Sequence, residues 1–319
     1  MEKHWRALAG LFVVLAMLAT ACGGAEPPAG TGDPADGGDG ASGSIEIDGS
    51  STVAPLTDAV AEEYANEAPD VTVNVGVSGT GGGFERFCAG ETDISNASRP
   101  IKDEEIALCE DAGVEYVELQ VGTDALTMVT SPETDFVSCL TTEEVTAIFG
   151  PDDPATKWSD VNPDFPDDEL QVFAPGQDSG TYDFMVEDVL GAEASREDYN
   201  ASEDDNIIAQ GVIGTAGSWG FFGFAYYQES ADSLKVLEYD AGDGCVAPSV
   251  ETAQDGSYKM TRPLFIYIKQ ESLQRSEVQG FATYYLDNVQ SLIEDIGYIA
   301  ETDEDLEAAK AALQEAIDA

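Results

Sequence analysis

The sequence lacks most of the side chains that enzymes use for chemistry. Its one histidine is His4, near the N-terminus. The rest of the chain therefore contains no Ser-His-Asp triad, no Cys-His pair and no histidine metal site. No Gly-Lys pair, Cys-x-x-Cys pair or EF-hand pattern occurs, which excludes a Walker loop and the common zinc and calcium sites. We expect no catalytic residue, no metal and no cofactor, although a Ser-Lys hydrolase or a carboxylate metal site remains an alternative without a signature.

Basic residues are also scarce. The chain has 13 Lys and Arg against 63 Asp and Glu, a net charge of −50 at pH 7. Such a surface repels nucleic acid and anionic lipid, so we expect no nucleic-acid partner. Simple solubility is one explanation of this charge. The acids are spread along the whole chain, however, and this favours adaptation to high salt.

The first 21 residues are typical of a secretory signal peptide. A positively charged start precedes an apolar run over residues 8–19, and small residues follow up to Cys22. The run is too short for a membrane span. The four residues that end at Cys22 resemble the lipobox of bacterial lipoproteins, with Leu18 one place early. We expect Cys22 to be lipidated; the alternative is an ordinary signal peptide followed by an unrelated cysteine.

Residues 22–43 are rich in Gly, Ala, Asp and Pro. This composition cannot bury a core, so we expect a disordered linker between the lipidated cysteine and the folded part. An exported, lipid-anchored protein is expected on the outer face of the cell membrane or in the periplasm. The folded part begins near Ser44 and is about 275 residues long, enough for one large domain or two lobes.

Short apolar runs and helical spacings alternate along the folded part. Val71, Val73, Val75 and Val77 alternate with other residues, as in a half-buried strand. The alternation predicts an α/β fold with mainly parallel sheets. Predicted strands cover 45–47, 71–77, 93–97, 114–119, 123–129, 172–174 and 264–268, and the last two predicted helices cover 272–287 and 303–318. Residues 150–169 are predicted to form a long surface loop.

Three predicted strands end in turns of small residues that open a helix. The turns are Gly49-Ser50-Ser51-Thr52, Ser78-Gly79-Thr80-Gly81-Gly82-Gly83 and Gln177-Asp178-Ser179-Gly180-Thr181. A helix N-terminus offers unpaired N–H groups and partial positive charge, and the hydroxyls add donors. One such turn is often purely structural, but three in an exported protein predict a site for a tetrahedral oxyanion.

Arg99 is a candidate cation for this site. It follows a predicted strand end within Ala97-Ser98-Arg99-Pro100, in a chain with few arginines. A guanidinium suits two-point recognition of a phosphate. The alternative is a surface ion pair with one of the nearby acids.

At these motifs the sequence resembles the phosphate-binding proteins of Pst-type ABC importers, over about residues 44–290. The matching segments stand in the family's order: Asp48-Gly49-Ser50-Ser51-Thr52-Val53, Ser78-Gly79-Thr80-Gly81-Gly82-Gly83-Phe84, Asp93-Ile94-Ser95-Asn96-Ala97-Ser98-Arg99-Pro100 and Asp178-Ser179-Gly180-Thr181. The resemblance implies a two-lobed periplasmic-binding-protein fold of type II. Each lobe would be a mixed, mainly parallel sheet flanked by helices, with two hinge crossovers between the lobes.

The resemblance also implies a function and a set of ligands. A monomer would capture inorganic phosphate in the cleft and deliver it to the permease subunits of an ABC importer, touching the membrane only through its lipid anchor. The phosphate-binding residues carried over by position are Ser51, Thr52, Val53, Ser78, Thr80, Gly81, Ser98, Arg99, Asp178, Ser179, Gly180 and Thr181. Lobe one would comprise residues 44–121 with 261–319, and lobe two residues 122–260.

The remaining four cysteines suggest two disulfides, because their number is even in an exported chain. Three pairings are possible. The lobe scheme favours Cys88–Cys109 and Cys139–Cys245, since each pair then closes within one lobe.

The sequence departs from the family pattern at two places. The family's best-known form has an Asp where this chain has Ser98, and it uses that Asp to accept a proton from phosphate. It also has an Arg just before its Ser-Gly-Thr turn, where residues 174–177 contain none. Asp178 or Asp93 could replace the missing Asp, although Asp178 could equally cap a helix. The alternatives are a binder of sulfate or molybdate, a phosphatase-like or serine hydrolase enzyme, and a surface adhesin without a ligand.

Overall fold

The computed structural model describes residues 41–177 and 179–319. The predicted signal peptide, Cys22, most of the linker and Asp178 lie outside the described residues. Among the helices in these two ranges, none combines the length and the apolar character that a membrane crossing requires.

The described ranges contain twelve strands, which we number in chain order. They are β1 Gly43–Gly49, β2 Val71–Val75, β3 Ile94–Ala97, β4 Tyr116–Thr130, β5 Cys139–Thr141, β6 Gln171–Pro175, β7 Asn200–Ser202, β8 Ser218–Gly223, β9 Lys235–Val236, β10 Glu238–Asp240, β11 Cys245–Val246 and β12 Thr261–Lys269.

Eleven α-helices lie between and after the strands in the same ranges. They are α1 Ala54–Glu67, α2 Gly79–Cys88, α3 Asp103–Ala112, α4 Thr142–Phe149, α5 Trp158–Val161, α6 Gly180–Asp183, α7 Asp205–Ile213, α8 Phe224–Ser230, α9 Val250–Gln254, α10 Ser276–Ile296 and α11 Asp303–Asp318. Helix α6 continues as a π-helix over Phe184–Val189, and single 3-10 turns cover Ala231–Ser233 and Ser272–Gln274.

One curled sheet runs through the molecule. Its strand order is β2-β1-β3-β12-β4-β8-β6-β7, with β9 added beside β4. The outer strands on each side pair in parallel, whereas β4 and β12 pair antiparallel with each other and with their neighbours β8 and β3. A small second sheet has the order β11-β10-β5.

Two large apolar cores lie on the two halves of the curled sheet, and we define lobe one and lobe two by them. The first core combines residues of β1, α1, the start of β4, β12 and the long helix α10. The second is built from β6, β8, α4 and the end of β4, with Trp158 and Trp219 fully buried. Strand β4 therefore passes from the first core to the second, and β12 begins directly after Met260 of the second core. The pairing of β4 with β12 joins the lobes and forms the hinge.

The hinge differs from the sequence prediction in one respect. Two strands were predicted over 114–119 and 123–129, but β4 is a single strand from Tyr116 to Thr130. It stays continuous because β12 pairs with its first part, Tyr116–Ala125, and β8 pairs with its last part, Leu126–Thr130. The β12 pairing shifts register between Leu264 and Phe265. In this register Arg262 of β12 lies opposite Asp124 of β4.

Three further local predictions concern the start of α4, the loop over 150–169 and the bounds of α10. Thr141 and Glu144 form the predicted capping box at the start of α4. The predicted loop over 150–169 contains the short helix α5. The helix predicted over 272–287 begins later and ends at Ile296, because its apolar spacing continues through buried Ile293 and a left-handed Gly297 caps it.

The structure contains two disulfides, Cys88–Cys109 and Cys139–Cys245, the pairing favoured from the sequence. The first joins α2 to α3 in lobe one. The second joins β5 to β11 in the small sheet of lobe two, so each cross-link lies within a single lobe.

Candidate functional site

The first small-residue turn leaves the carboxyl end of β1 and enters α1. Gly49 has φ of +139°, and a Cβ there would lie 2.1 Å from the carbonyl oxygen of Asn96, so only glycine fits beside β3. The N-cap of α1 is Val53, which makes no side-chain capping bond, and Pro55 follows in the first turn. The hydroxyl of Thr52 is therefore not used to cap the helix.

The second turn packs directly on the first. A Cβ at Gly83 would lie 2.5 Å from Gly49 Cα, which shows how closely α2 approaches β1. The buried carboxylate of Asp48 joins the two turns, because Oδ1 accepts hydrogen bonds from the N–H groups of Gly49 (2.7 Å) and Ser78 (2.9 Å). Arg86 pairs with the other carboxylate oxygen and balances its charge.

Thr80, in the first turn of α2, connects this region to the motif after β3. Its Oγ1 accepts a hydrogen bond from Ser98 N at 3.2 Å and lies 3.2 Å from Ser98 Oγ. The hydroxyls of two predicted site residues are therefore adjacent in lobe one.

The third turn belongs to lobe two and follows β6. Ser179 is the N-cap of α6, and its Oγ accepts a hydrogen bond from Thr181 N at 3.2 Å. Ser179 thus occupies the N-cap position of α6, and Asp178, the capping candidate from the sequence, lies outside the described residues. Residues 179–181 face the first turn of lobe one, so the chain brings turns of both lobes together.

Two neighbouring cavities lie between the lobes. The first has a volume of about 440 Å³ and the second about 460 Å³. Predicted site residues on the wall of the first are Ser51, Thr52, Thr80, Gly81, Ser98 and Arg99. Those on the wall of the second are Ser51, Thr52, Ser179, Gly180 and Thr181. Among the described site residues, Val53 and Ser78 line neither cavity; Val53 is fully buried, and Ser78 gives its N–H to Asp48.

The lobes touch where the two cavities meet. A Cβ added to Gly180 would lie 2.6 Å from Thr52 Oγ1. Any larger residue at this position would push the first and third turns apart. Gly180 is therefore required by the close approach of the lobes and not by an unusual backbone angle.

Arg99 is already paired within lobe one. Its Nη1 and Nη2 donate to the two carboxylate oxygens of Glu105 at 2.8 and 2.7 Å, and its guanidinium carbon lies 5.8 Å from the centre of the Phe84 ring. The pair holds the guanidinium at the cavity wall, and the hydrogen bonds that Arg99 donates to the Glu105 carboxylate raise the pKa of Arg99. Arg99 is therefore in an ion pair, one of the two sequence-based alternatives, and it also lines the cavity. Its role as a phosphate ligand stays a prediction.

Arg262 is the site residue that sequence reasoning missed. It lines both cavities, and its side chain is 7% exposed. Nε donates to the buried Asp124 at 2.9 Å, Nη2 donates to the carbonyl of Gly180 at 2.7 Å, and the guanidinium lies over the Phe184 ring at 4.8 Å. The one signal in the sequence was the scarcity of arginine, combined with the position of Arg262 at the return crossover.

Carboxylates line the lobe-two wall of the first cavity. They are Asp183, Glu187 and Asp188, all on α6 or its π-helical continuation. Asp183 is half-buried. Burial raises the pKa of Asp183, and the charge of Arg262 acts in the opposite direction. A carboxylate in this position can accept a hydrogen bond from a ligand that carries a proton.

Asp93 does not reach the site. It precedes β3 at the end remote from Ser98, where Oδ1 accepts from Ser272 Oγ at 2.7 Å and Oδ2 pairs with Arg275 at 2.7 Å. The suggestion that Asp93 replaces the missing family Asp is therefore wrong. Asp178, the other candidate, is outside the described residues.

Solved structures of known proteins share this fold. The crystal structure of a possible phosphate binding protein from Planctomyces limnophilus matches with a TM-score of 0.84 and 41% identity, over 86% of this chain and 99% of that one. An ABC-type phosphate transport receptor from Vibrio cholerae matches with a TM-score of 0.65 and 21% identity, over 81% of this chain and 99% of that one, and so bears on the fold alone. The two-lobed periplasmic-binding-protein fold is confirmed.

Relatives of known function are also similar in sequence. The protein SphX of Synechococcus elongatus is 46% identical over 259 residues, which are 80% of this chain and 77% of the relative. The phosphate-binding protein PstS of Staphylococcus saprophyticus is 37% identical over 301 residues, 93% of this chain and 90% of the relative. The PBP superfamily domain matches residues 34–289. The chain therefore belongs to the PBP superfamily and, within it, to the family of PstS-like phosphate-binding proteins.

Proposed function

We propose that this protein captures inorganic phosphate between its two lobes and delivers it to the permease subunits of an ABC importer. The observation that carries the proposal is the meeting of hydroxyl-bearing and glycine turns from both lobes around the buried guanidinium of Arg262. The names of the PstS relatives support the same ligand.

Phosphate is held mainly by neutral donors in this proposal. The hydroxyls of Thr52, Thr80 and Ser98 act from lobe one, and Ser179 and Thr181 act from lobe two. The remaining proposed contacts are Ser51, Val53, Gly81, Arg99, Asp178 and Gly180. Ser78 is left out of this set, because it lines neither cavity and its N–H donates to Asp48. Fixed donors in a closed cleft replace the hydration shell of the anion without a large reorganisation.

Arg262 supplies the central positive charge. Arg262 lies on the crossover strand β12, beside the turns of both lobes. It can therefore contact a ligand that is bound between the closed lobes. Asp124 holds the guanidinium and balances its charge. This arrangement takes the place of the arginine that the family pattern has before its Ser-Gly-Thr turn.

The proposal extends to the N-terminal segment and to the boundaries of the lobes. Residues 1–21 are a signal peptide, Cys22 carries the lipid, and residues 22–43 are a flexible tether to the outer face of the membrane. Lobe one comprises 44–121 with 261–319, lobe two comprises 122–260, and the protein works as a monomer. Mass spectrometry of the membrane fraction, with and without Cys22→Ala, tests the anchor.

Titration calorimetry with phosphate, sulfate and molybdate tests the ligand. We expect phosphate to bind with a much lower dissociation constant than the other two anions. Sulfate binding as tight as phosphate binding would contradict the phosphate assignment in favour of a general oxyanion receptor. Turnover of a phosphoester, lost in Ser179→Ala, would instead point to an enzyme.

Removal of Arg99 tests the lobe-one side of the site. Charge-assisted hydrogen bonds contribute roughly 1.5–3 kcal/mol, so Arg99→Ala should raise the dissociation constant for phosphate at least about tenfold. Arg99→Lys keeps the charge but loses the two-point contact with Glu105, and we expect an intermediate value. Calorimetry of both variants checks this, and an unchanged dissociation constant in Arg99→Ala would remove Arg99 from the site.

A further inference from the structure

The segment after α10 passes directly behind the first binding turn. Gly297 ends the helix with φ of +100° and turns the chain towards the hinge. Tyr298, the next residue, donates a hydrogen bond from its hydroxyl to the carbonyl oxygen of Thr52 at 2.7 Å. These two residues are 246 positions apart in the sequence, and none of the motifs at the site includes Tyr298.

This hydrogen bond fixes the direction of the peptide that joins Thr52 to Val53. The peptide is planar and trans, so the carbonyl of Thr52 and the N–H of Val53 point in opposite directions. Tyr298 lines the second cavity, whereas Thr52 lines both. With the carbonyl oxygen bonded to Tyr298, its negative end is satisfied by a donor, and the N–H of Val53 is presented on the opposite side of the peptide.

The hydroxyl of Tyr298 is a constant donor. Tyr298 is half-buried, and burial raises its pKa above the usual value. It therefore keeps its proton at neutral pH, where phosphate is an anion.

The residues that follow attach Tyr298 to the hinge and to lobe two. Ile299 pairs with Thr123 of β4 through two backbone hydrogen bonds of 2.8 and 2.9 Å. The carbonyl of Ala300 accepts a hydrogen bond from Gln254 of α9 at 2.8 Å. Glu301 accepts from Gln120 and Thr123 at 3.0 and 3.2 Å. The segment 298–301 thus contacts the first binding turn, a crossover strand and lobe two.

We propose that Tyr298 is a positioning residue for the ligand: it orients the Thr52–Val53 peptide so that the N–H of Val53 donates to the bound anion, and segment 298–301 links that orientation to lobe two. This inference rests on the proposed function of the cleft. Tyr298 itself does not contact the ligand, and its effect passes through Thr52.

The variant Tyr298→Phe tests the proposal, because it removes the hydroxyl and keeps the ring. One lost hydrogen bond at the site should weaken phosphate binding about three- to tenfold. The melting temperature of the ligand-free protein should stay near the wild-type value, and the change in the Val53 amide NMR signal on phosphate addition should become smaller. Tyr284→Phe, at another partly buried tyrosine that packs against the lobe-one core, is the matched control and should change none of these.

Two results would overturn the proposal. One is an unchanged phosphate dissociation constant in Tyr298→Phe. The other is weaker binding with a full Val53 amide response and a lower melting temperature without ligand, which would assign Tyr298 a purely structural role. Absence of phosphate binding by the wild-type protein would instead reject the proposed function, so the two failures can be told apart.

Discussion

Arg262→Met should weaken phosphate binding by about a hundredfold or more, because it removes a charge-assisted bond and leaves the charge of Asp124 unopposed beside the site. The guanidinium is almost completely enclosed and contacts Asp124, Gly180 and Phe184 at once. No other described cation lines both interlobe cavities. Calorimetry with phosphate measures the effect.

The same change should lower the free energy of unfolding. Breaking a buried ion pair by removing one partner costs about 3–5 kcal/mol, since the other charge stays buried without compensation. Loss of affinity could then follow from loss of structure. The double variant Arg262→Met with Asp124→Leu separates the two causes, because it removes both charges and restores an apolar contact.

We expect the double variant to regain most of the thermal stability but little of the phosphate affinity. If it instead binds phosphate as the wild type does, Arg262 merely neutralises Asp124 and is not a ligand. Arg275→Met is the matched control: Arg275 is 42% exposed and pairs with Asp93 on the far side of lobe one. Its removal should leave the dissociation constant unchanged.

Much of the site could be predicted because it is local in the chain. A strand, a small-residue turn and a helix are consecutive, so the three turns and the motif at Ser98 are visible as motifs. The alternation of strands and helices likewise predicted the α/β fold. The two disulfides followed once the lobes had been assigned by resemblance.

The residues that were missed reach the site from distant positions. Arg262 depends on the register of β12 against β4, and Tyr298 depends on a left-handed turn after α10. Neither the register nor the turn is fixed by the residues beside them in the chain. Asp183 was missed for a different reason: it lies within the predicted site region, but its exposure on the cavity wall depends on how α6 packs.

Asp183→Asn should reduce the preference for phosphate over sulfate by about a hundredfold. At neutral pH phosphate still carries a proton. Its O–H group can donate a charge-assisted hydrogen bond to the Asp183 carboxylate, worth roughly 1.5–3 kcal/mol. Sulfate carries none, so the same carboxylate repels it. The amide of Asn removes the repulsion and offers an N–H donor. We expect phosphate to bind about tenfold more weakly and sulfate about tenfold more tightly.

The pH dependence of sulfate binding gives an independent test. As pH falls through the pKa of Asp183, the carboxyl gains a proton and can donate to sulfate, so wild-type sulfate affinity should rise. Burial raises this pKa, so the rise should begin above the ordinary range for aspartate, near 3.9. In Asp183→Asn the sulfate affinity should change much less over the same range, because only the more exposed Glu187 and Asp188 of that wall then gain protons.

The neighbouring acids provide the matched control for Asp183. Glu187 and Asp188 line the same cavity, and burial raises the pKa of both as it does that of Asp183. Both residues are nevertheless more exposed than Asp183, so water screens their charges more strongly and can solvate a ligand proton in their place. Glu187→Gln and Asp188→Asn should each change the phosphate-to-sulfate ratio by less than about threefold. Equal effects of all three variants would show that the ratio responds to the net charge of the lobe-two wall, and that Asp183 does not form a specific bond to the proton of phosphate.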